Sequence, residues 1–364
     1  MKKPKHTPNF LYFSTLDFDT VFKTQVIGWV NIFREHGLDF EIIKVCTVRH
    51  LLKFRKRKAE KAGVRRLYDG RFTYIYGFPD EVGIGRIMNV ILLAGVLFKA
   101  GILKRRVIVQ IRSASYHCSF RILKKIFGNR LRLIYDSRAA AAEEFLYNYG
   151  VADRFGARKY KILQLRDRNM VETADRVFCV SKALMKYHES LAAVAIPSDK
   201  FFLYPCSADE RFFFFDEELR TKTRQELGID ERFVVIYSGG LEMRWHVPDL
   251  LFQFFRDLYR TTPKVLFLVL THDLQRGHHY FRQYKIPGAA YLLNSTDNRE
   301  VHKYLNAADL GTLIREDHLM NQVASPTKFA EYLMCGLPVA ISPNVGDFSA
   351  LVREKNWGDR KSVV

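Results

Sequence analysis

Cysteine, long apolar runs and secretory features are scarce in this sequence. The five cysteines are scattered, odd in number and free of Cys-x-x-Cys spacing, which predicts a reducing compartment without zinc sites or disulfides. The most apolar segment, residues 87–103, contains Asn89 and Lys99 and is shorter than the roughly 20 residues of a membrane span. We therefore predict a buried or interfacial helix there. The apolar run at residues 10–13 is too short for the core of a secretory signal, so none is predicted.

Acidic residues are also scarce, since 58 Lys and Arg outnumber 39 Asp and Glu and leave a net charge of +19. Such a chain favours an anionic partner: membrane phospholipid, nucleic acid or a phosphorylated substrate. Residues 53–66 hold eight Lys or Arg against one Glu. At about 1 kcal/mol per basic residue near an anionic leaflet, this run favours attachment to a membrane surface. A solvated helix face is the alternative, and no zinc-finger, helix-turn-helix or RNP-like pattern supports nucleic acid.

Short apolar runs alternate with amphipathic segments along the whole chain, which predicts parallel strand–helix units. We predict strands at residues 9–15, 40–45, 71–76, 107–112, 131–135, 176–180, 201–204, 233–238, 265–271, 290–293, 310–314 and 337–341. The pattern changes near residues 205–215. The fold class predicted is α/β, with two doubly wound Rossmann-like domains, residues 1–206 and 207–358, facing across a cleft.

Residues 359–364, DRKSVV, follow Trp357 and Gly358 without structural logic. They resemble the in-frame translation of a sequencing adapter. We expect this tail to be non-native and the natural chain to continue past Gly358, which would leave the C-terminal domain incomplete.

One run near the end, residues 325–339, carries a helix start followed by a helix stop. Ser325 is a good N-cap, Pro326 suits the first helical position, and Gly336 suits the C-terminal cap. A short apolar run follows, as expected for a buried strand.

The start of this helix is a candidate anion site. Amide groups around Thr327 would point outward with Lys328 beside them, and phosphate is the usual anion at such an end. Glu331, one turn further, could accept hydrogen bonds from sugar hydroxyls. The alternative is a capped helix on a parallel sheet with Glu331 solvated.

The pattern S-P-T-K-F-x-E-Y-L-x-x-G-L-P-V in residues 325–339 resembles the nucleotide-sugar-binding segment of retaining GT-B glycosyltransferases, bacterial members of family 4 in particular. The resemblance implies a nucleotide-diphosphate sugar bound mainly by the C-terminal domain. It also implies transfer, with retention of configuration, to a lipid-linked or polysaccharide acceptor held by the N-terminal domain. With the basic run, it places the protein in the cytoplasm at the inner face of the membrane.

Two further loops contribute to this resemblance. Tyr237 to Leu241 is similar to the Y-x-G-x-L loop that holds the donor diphosphate, with Gly239 and Gly240 allowing close backbone approach. The family arginine before the leucine is replaced by Gly240, so the basic role would fall to Arg244. A glycine turn with a surface arginine is the alternative.

Arg315 and Glu316 follow the strand at residues 310–314 and are further donor-side candidates. Many family members place a glutamate eight residues before the position of Glu331. Here that residue is Val323, so Glu316 or Asn321 would have to supply the missing contact.

In the N-terminal half, Asp136 and Arg138 follow the fifth strand, with Glu143 and Glu144 in the next helical turn. The segment is similar to the D-x-R-G…E-E pattern of the family, with Ala139 for glycine. We predict Asp136 and Arg138 to face the cleft as candidate catalytic residues, a helix-capping role being the alternative.

Asp17-Phe18-Asp19 matches the D-x-D metal motif of another transferase fold, but it lies in the loop after the first strand, where GT-B proteins meet their acceptor. We therefore predict Asp17, Lys23 and Gln25 to be acceptor-side residues. No metal or other cofactor is predicted, because Arg244, Lys328 and the helix dipole would do the work of a cation.

Two other functions stay open. A GT-B nucleotide-sugar epimerase would share the fold and the donor chemistry. A protein that binds anionic lipid or nucleic acid without catalysis would account for the charge alone.

Overall fold

The computed structural model divides the chain into two compact units. The first comprises Met1–Val180 and Leu184–Tyr204, and the second comprises Ser181–Ala183 and Pro205–Val364. The structure describes residues 9–47, 54–78, 83–242, 244–297 and 299–355. The predicted non-native tail lies outside these residues.

The first unit is a seven-stranded parallel sheet in the order β3-β2-β1-β4-β5-β6-β7. Its strands are β1 (Asn9–Ser14), β2 (Phe40–Thr47), β3 (Phe72–Gly77), β4 (Val107–Ile111), β5 (Leu131–Ser137), β6 (Arg176–Cys179) and β7 (Phe201–Leu203). Its helices are α1 (Thr20–Phe22), α2 (Gly28–Glu35), α3 (Phe54–Leu67), α4 (Gly83–Lys99), α5 (His117–Phe127), α6 (Ala141–Tyr149), α7 (Arg154–Thr173) and α8 (Lys182–Leu191), the last from residue 184 onward. A π-helical turn, Lys23–Ile27, joins α1 to α2.

The second unit is a five-stranded parallel sheet in the order β10-β9-β8-β11-β12. Its strands are β8 (Phe233–Ser238), β9 (Val265–Leu270), β10 (Tyr291–Asn294), β11 (Leu310–Leu313) and β12 (Val339–Ile341). Its helices are α9 (Glu217–Leu227), α10 (Pro248–Thr261), α11 (Leu274–Gln283), α12 (Val301–Ala307), α13 (Leu319–Gln322), α14 (Thr327–Met334) and α15 (Phe348–Lys355).

The predicted doubly wound α/β domains are confirmed, because both sheets are parallel and each reverses its strand order once. All twelve predicted strands are present, with every end within two residues of its predicted position. The reversal lies between β1 and β4 in the first unit and between β8 and β11 in the second. Ligands of such sheets bind at the carboxyl ends of the two strands that flank the reversal.

The sheet of the second unit is buried on both faces, which is why its strands are apolar without alternation. Val234 and Ile236 enter one core with Phe329 and Tyr332 of α14. Val235 enters the other core, which contains Phe252 and Phe255 of α10. This packing holds α14 against the sheet and thereby fixes the candidate site.

The start of α14 differs from the prediction. Pro326, not Ser325, is the N-cap, and no side chain caps the helix. The Ser325 hydroxyl instead accepts a hydrogen bond from the Cys206 backbone amide at 2.9 Å. The predicted serine cap is therefore wrong, because a residue far away in sequence uses the oxygen that would have capped the helix.

The end of α14 follows the predicted glycine signal. Gly336 has φ +76°, its amide donates to the Leu333 carbonyl at 3.0 Å, and the Leu337 amide donates to the Tyr332 carbonyl at 2.9 Å. This is a Schellman motif, which favours glycine at the left-handed position. Because the Leu337 amide is used there, β12 begins at Val339 and not at residue 337.

None of the helices in the described parts of the chain combines the length and the apolar character needed to cross a bilayer.

Candidate functional site

The loops after β8 and β11 carry most of the predicted donor-side residues. Gly239 and Gly240 follow β8 directly, and Arg315 and Glu316 follow β11. Because the strand order reverses between these two strands, their loops diverge and leave a crevice between them. The second unit therefore brings these four residues to the place where a doubly wound sheet binds its ligand.

The glycine loop makes room for a lysine from α14. Gly239 has φ +153°, and a Cβ at this position would lie 2.1 Å from Nζ of Lys328. No other residue type could be accommodated without moving the lysine. The prediction was that the glycine lets a ligand approach the backbone; in this structure the lysine ammonium fills that space.

Lys328 is half-buried, and its ammonium group lies 5.1 Å from the centre of the Tyr237 ring. Among the described residues it has no hydrogen-bond or ion-pair partner. Burial, with the positive charge of Arg315, lowers the pKa of Lys328 to about 7, although Glu331 acts in the opposite direction. A cation held in this way gains stabilisation from any anion that enters.

Arg315 is held beside this lysine by its own backbone and side chain. Its amide donates to Oγ of Ser342 at 2.7 Å, and the same hydroxyl donates to the Arg315 carbonyl at 2.8 Å. Nη1 of Arg315 donates to the carbonyl of Trp245 at 2.9 Å. The loop after β11 thus supplies a second, positioned cation, and a guanidinium can bind phosphate oxygens in pairs.

His246 is a site residue that the sequence did not reveal. Its Nδ1 lies 2.7 Å from the Gly240 carbonyl, an acceptor, so Nδ1 carries the proton. Burial and the charges of Lys328 and Arg315 lower the pKa of His246 to about 3. The ring is therefore neutral at pH 7 and keeps Nε2 as an acceptor.

Tyr237 was quoted as part of the loop pattern but was not predicted as a site residue. Its hydroxyl donates to the same Gly240 carbonyl at 2.9 Å. Tyr237 and His246 together fix the glycine turn through one carbonyl oxygen.

Glu331 lies near Lys328 on α14 and is half-buried, and its carboxylate has no hydrogen-bond partner among the described residues. Burial raises the pKa of Glu331, and Lys328 partly offsets this. Val323, at the position of the second family glutamate, is buried at 1% exposure. Asn321 is also buried, and its side-chain amide donates to the backbone carbonyl of Glu316 at 2.9 Å, whereas the Glu316 side chain is exposed.

The remaining predicted donor-side residues have these positions. Thr327 and Lys328 begin α14, so their amides belong to the helix end with positive dipole. Arg244 begins a 3₁₀ turn, Arg244–His246, but its side chain is outside what the structure describes. Its role in binding phosphate stays a prediction.

In the first unit, Asp136 lies inside β5 and not in the loop that was predicted. Its carboxylate is 1% exposed and accepts from the Tyr12 hydroxyl at 2.8 Å and from Nε2 of Gln110 at 3.1 Å. Nε of Arg138 donates to its other oxygen at 2.5 Å. Burial raises the pKa of Tyr12 above its usual range, and the negative charge of Asp136 raises it further.

The Arg138 guanidinium lies 5.1 Å from the Tyr204 ring centre and 5.8 Å from that of Trp29. These aromatic rings and Asp136 hold Arg138 in one orientation. The geometry fits a positioned cation supported by a buried carboxylate, and the predicted catalytic role stays a prediction.

The predicted acceptor-side residues lie on the loop after β1 and on the π-helical turn. Asp17 and Lys23 are exposed, with Asp17 at 3.9 Å from Lys56 of α3 and Lys23 over the Phe18 ring. Gln25 is half-buried and accepts a hydrogen bond from Arg112. These side chains share one end of β1, but Gln25 is already engaged.

The Asp-x-Asp pattern shows no metal geometry. Oδ1 of Asp19 accepts from the Phe22 amide at 2.8 Å and so caps the first helical turn. Within residues 9–47, 54–78, 83–242, 244–297 and 299–355, no group of three or more His, Cys, Asp or Glu residues could hold a metal ion.

No protein-family model and no curated protein sequence matches this chain. Solved structures do match. HepE of Anabaena in complex with UDP gives a TM-score of 0.65 at 14% identity, over 94% of this chain and 82% of that one. A glycosyltransferase of Rickettsia africae gives 0.64 at 11% identity, over 94% and 81%.

WaaG, a glycosyltransferase involved in lipopolysaccharide biosynthesis, gives a TM-score of 0.61 at 12% identity, over 96% of this chain and 85% of that one. At these identities the likeness shows the fold alone. The chain therefore has the two-domain α/β fold of GT-B glycosyltransferase structures, as the sequence predicted.

Proposed function

We propose that the chain is a glycosyltransferase that moves a sugar from a nucleotide-diphosphate sugar to a membrane-associated or polysaccharide acceptor. The observation that carries this is the pair Lys328 and Arg315 beside the glycine loop, at the strand reversal of the second unit. Two half-buried cations that are fixed in position in such a crevice suit a diphosphate. Solved structures of the same fold hold UDP and UDP-glucose.

The chemical contribution of these residues is stabilisation of the leaving group. When the bond between the anomeric carbon and the diphosphate oxygen breaks, negative charge develops on the diphosphate. Lys328, Arg315 and the amides at the start of α14 are in place before this happens, so little reorganisation is needed. We propose that Arg244 adds a third cation and that no metal ion takes part.

Glu331 is proposed to bind the sugar. A half-buried carboxylate without a protein partner can accept hydrogen bonds from hydroxyl groups, and its nearness to the proposed phosphate ligand Lys328 supports a role toward the sugar. We propose Glu316 as the second carboxylate, in place of the absent glutamate at position 323.

The acceptor is proposed to meet the first unit at Asp17, Lys23 and Gln25. Membership in family 4 and retention of configuration are part of the proposal and rest on the motif resemblance at residues 325–339. We also propose a cytoplasmic location at the inner face of the membrane, supported by the exposed bases of α3. Nucleic acid is not a proposed partner.

Titration calorimetry with UDP, GDP, UDP-glucose and a short DNA duplex tests donor binding. We expect a nucleotide or nucleotide sugar to bind in a buffer containing a metal chelator. Binding of the duplex without binding of any nucleotide would sink the enzyme proposal in favour of a non-enzymatic role.

Turnover separates a transferase from an epimerase. Radiolabelled nucleotide sugars are incubated with the full chain and a membrane lipid extract, and the label is followed. Label in the lipid fraction is expected for the transferase, whereas an isomerised sugar that remains on the nucleotide would indicate the epimerase.

A further inference from the structure

Helix α4 exposes an apolar stripe to solvent. Ile84, Ile87, Met88 and Ile91 are 76%, 59%, 46% and 60% exposed. Their spacing of three, four and seven residues places them on one side of the helix. Asn89, Leu93 and Leu97 are buried on the opposite side, so α4 has one apolar side against the sheet and a second that is exposed. The predicted buried or interfacial helix is thus buried on one side only.

Helix α5 extends this surface. Phe98 of α4 packs edge-on against Phe127 of α5, with ring centres 5.6 Å apart. Ile122 and Ile126 of α5 are exposed, as are Phe98 and Leu103. The two helices therefore present a joint apolar surface, which we call the α4–α5 face. Exposed apolar surface of this extent marks an interaction site.

The segment that contains α4 and α5 carries charge of one sign. Residues 83–135 contain eleven Lys or Arg and no Asp or Glu. Lys99, Lys104, Arg105 and Lys125 are among the exposed ones. An apolar stripe flanked by exposed cations is typical of a surface that lies in a membrane interface.

Helix α3, on the opposite face of the same sheet, carries a second cationic surface. Its exposed bases are Arg55, Lys56, Lys58, Lys61, Arg65 and Arg66. Its one acidic residue, Glu60, is buried and bound to Lys44 at 3.2 Å. Apart from Lys56, which lies 3.9 Å from Asp17, the exposed bases of α3 have no ion-pair partner within the described part of the chain, so the exposed side of α3 stays strongly positive.

A surface cavity of about 310 Å³ lies at the edge strand β3, between the bases of α3 and the end of α4. It is lined by Lys61 and Arg65 of α3, by Arg71 before β3, and by Lys99 at the end of α4, with Glu41 as its one acidic residue. Four cations around one cavity suit a phosphate group.

We infer that the α4–α5 face, with the basic cavity beside it, docks on an anionic phospholipid bilayer. The isoleucines would enter the boundary between head groups and acyl chains while the surrounding bases contact lipid phosphates. A second copy of the chain fits less well, because the same face would bring positive charge against positive charge. Nucleic acid would use the bases but not the aliphatic stripe. This inference does not depend on the donor site.

Vesicle flotation of the full chain tests this docking on a bilayer. One set of vesicles contains phosphatidylcholine alone, and the other contains phosphatidylcholine with about one-third phosphatidylglycerol. We expect binding to the anionic vesicles only, weakened by salt. Replacing Ile87→Gln and Ile91→Gln together should weaken this binding by about tenfold or more, because two apolar side chains no longer leave water. Lys61→Glu with Lys99→Glu should also weaken it and make it less sensitive to salt.

Matched controls are Leu250→Gln, an exposed leucine on α10 of the second unit, and Lys222→Glu, an exposed lysine on α9. Both should bind vesicles as the unaltered chain does. Thermal unfolding and UDP titration of every variant show whether folding or the donor site has changed instead. The inference is overturned if the unaltered chain ignores anionic vesicles or if the isoleucine variant binds as well as Leu250→Gln. It is also overturned if the isoleucine changes abolish a dimer while leaving vesicle binding intact.

Discussion

The ammonium group of Lys328 occupies the space in which a side chain at Gly239 would begin. A Cβ at position 239 would lie 2.1 Å from Nζ and 2.7 Å from Cε, with φ at +153°. The glycine after β8 and the lysine of α14 are therefore one structural feature, although 89 positions separate them in sequence.

Replacing Gly239→Ala should displace Lys328 and strain the loop. We expect a loss of folding free energy of about 1–3 kcal/mol, as for other backbone strain of this kind, together with weaker nucleotide binding. Urea unfolding and UDP titration measure the two effects. Gly288→Ala is the control, because position 288 has no atom within 4 Å of the added Cβ. Equal UDP affinity in both variants would contradict the proposed link between glycine and lysine.

Replacing Lys328→Met should weaken binding of UDP-glucose by roughly 10- to 100-fold, since a hydrogen bond to a charged group contributes about 1.5–3 kcal/mol. The methionine keeps the aliphatic stem but removes a poorly solvated charge. The thermal stability of the variant should therefore stay equal or rise. If Lys328 instead supported the fold, its replacement would lower the thermal stability. Lys222→Met, on the exposed side of α9, is the matched control and should change neither quantity.

Binding of UDP-glucose should take up a proton above neutral pH. The pKa of Lys328 is lowered to about 7, so the side chain is largely neutral at about pH 8. A bound diphosphate favours the charged form, so affinity should fall as pH rises through this range. Calorimetry in two buffers of different ionisation enthalpy at about pH 8 should show uptake of up to about one proton, and little at about pH 6. Lys328→Met should abolish the difference.

The same lowered pKa has a consequence for folding. Lysine in the unfolded chain has a pKa of about 10.4, so the unfolded state binds more protons between about pH 7 and 10. The contribution of Lys328 therefore makes the ligand-free fold more stable as pH rises through this window. Comparing how the free energy of unfolding changes with pH in the unaltered chain and in Lys328→Met isolates this contribution.

The fold could be predicted because its strands are buried on both faces. Val265–Leu270, VLFLVL, has every residue buried, so the apolar run itself marks the strand. Helix caps were harder to predict, since the Ser325 hydroxyl is bound by the Cys206 amide, 119 positions away. Local sequence pattern contains no information about such a partner.

The site could be predicted only where a motif marked it. Lys328 and Glu331 belong to a dense pattern, and the structure places Lys328 against the glycine loop with Glu331 near it on the same helix. A lone histidine such as His246 gives no comparable signal, because its role depends on the Gly240 carbonyl and on two cations, Lys328 and Arg315, that are distant in sequence. The burial of Asp136 was missed for the same reason: its donors Tyr12 and Gln110 come from β1 and β4.

Replacing Glu331→Gln should reduce the affinity for UDP-glucose while leaving that for UDP unchanged. The carboxylate is proposed to accept hydrogen bonds from the sugar, and an amide is a weaker acceptor, so about 1–3 kcal/mol should be lost. Titration of both ligands against the variant measures the difference. Glu316→Gln is the informative comparison: a similar selective loss is expected if Glu316 replaces the absent glutamate. Loss of UDP affinity in Glu331→Gln would contradict the sugar assignment.

The buried Asp136–Arg138 pair has an exposed counterpart of the same local geometry. Asp209 and Arg211 are also two positions apart, and Nε and Nη2 of the arginine again donate to the two carboxylate oxygens, at 2.9 and 2.7 Å. Arg211 is 52% exposed, whereas Arg138 is 10% exposed. The two pairs therefore differ mainly in burial and in the additional donors Tyr12 and Gln110.

Asp136→Asn should destabilise the fold by about 3–5 kcal/mol, because removing one partner leaves the other charge buried and uncompensated. Asp209→Asn should cost about 0–1 kcal/mol, the range of an exposed pair. Urea unfolding of both variants gives these free energies, and sugar transfer by the folded variant is measured alongside. If Asp136→Asn keeps its unfolding free energy but loses transfer, the carboxylate acts in the chemistry. If it loses stability and the folded fraction still transfers sugar, Asp136 is a support for Arg138, which is the outcome we expect from its burial.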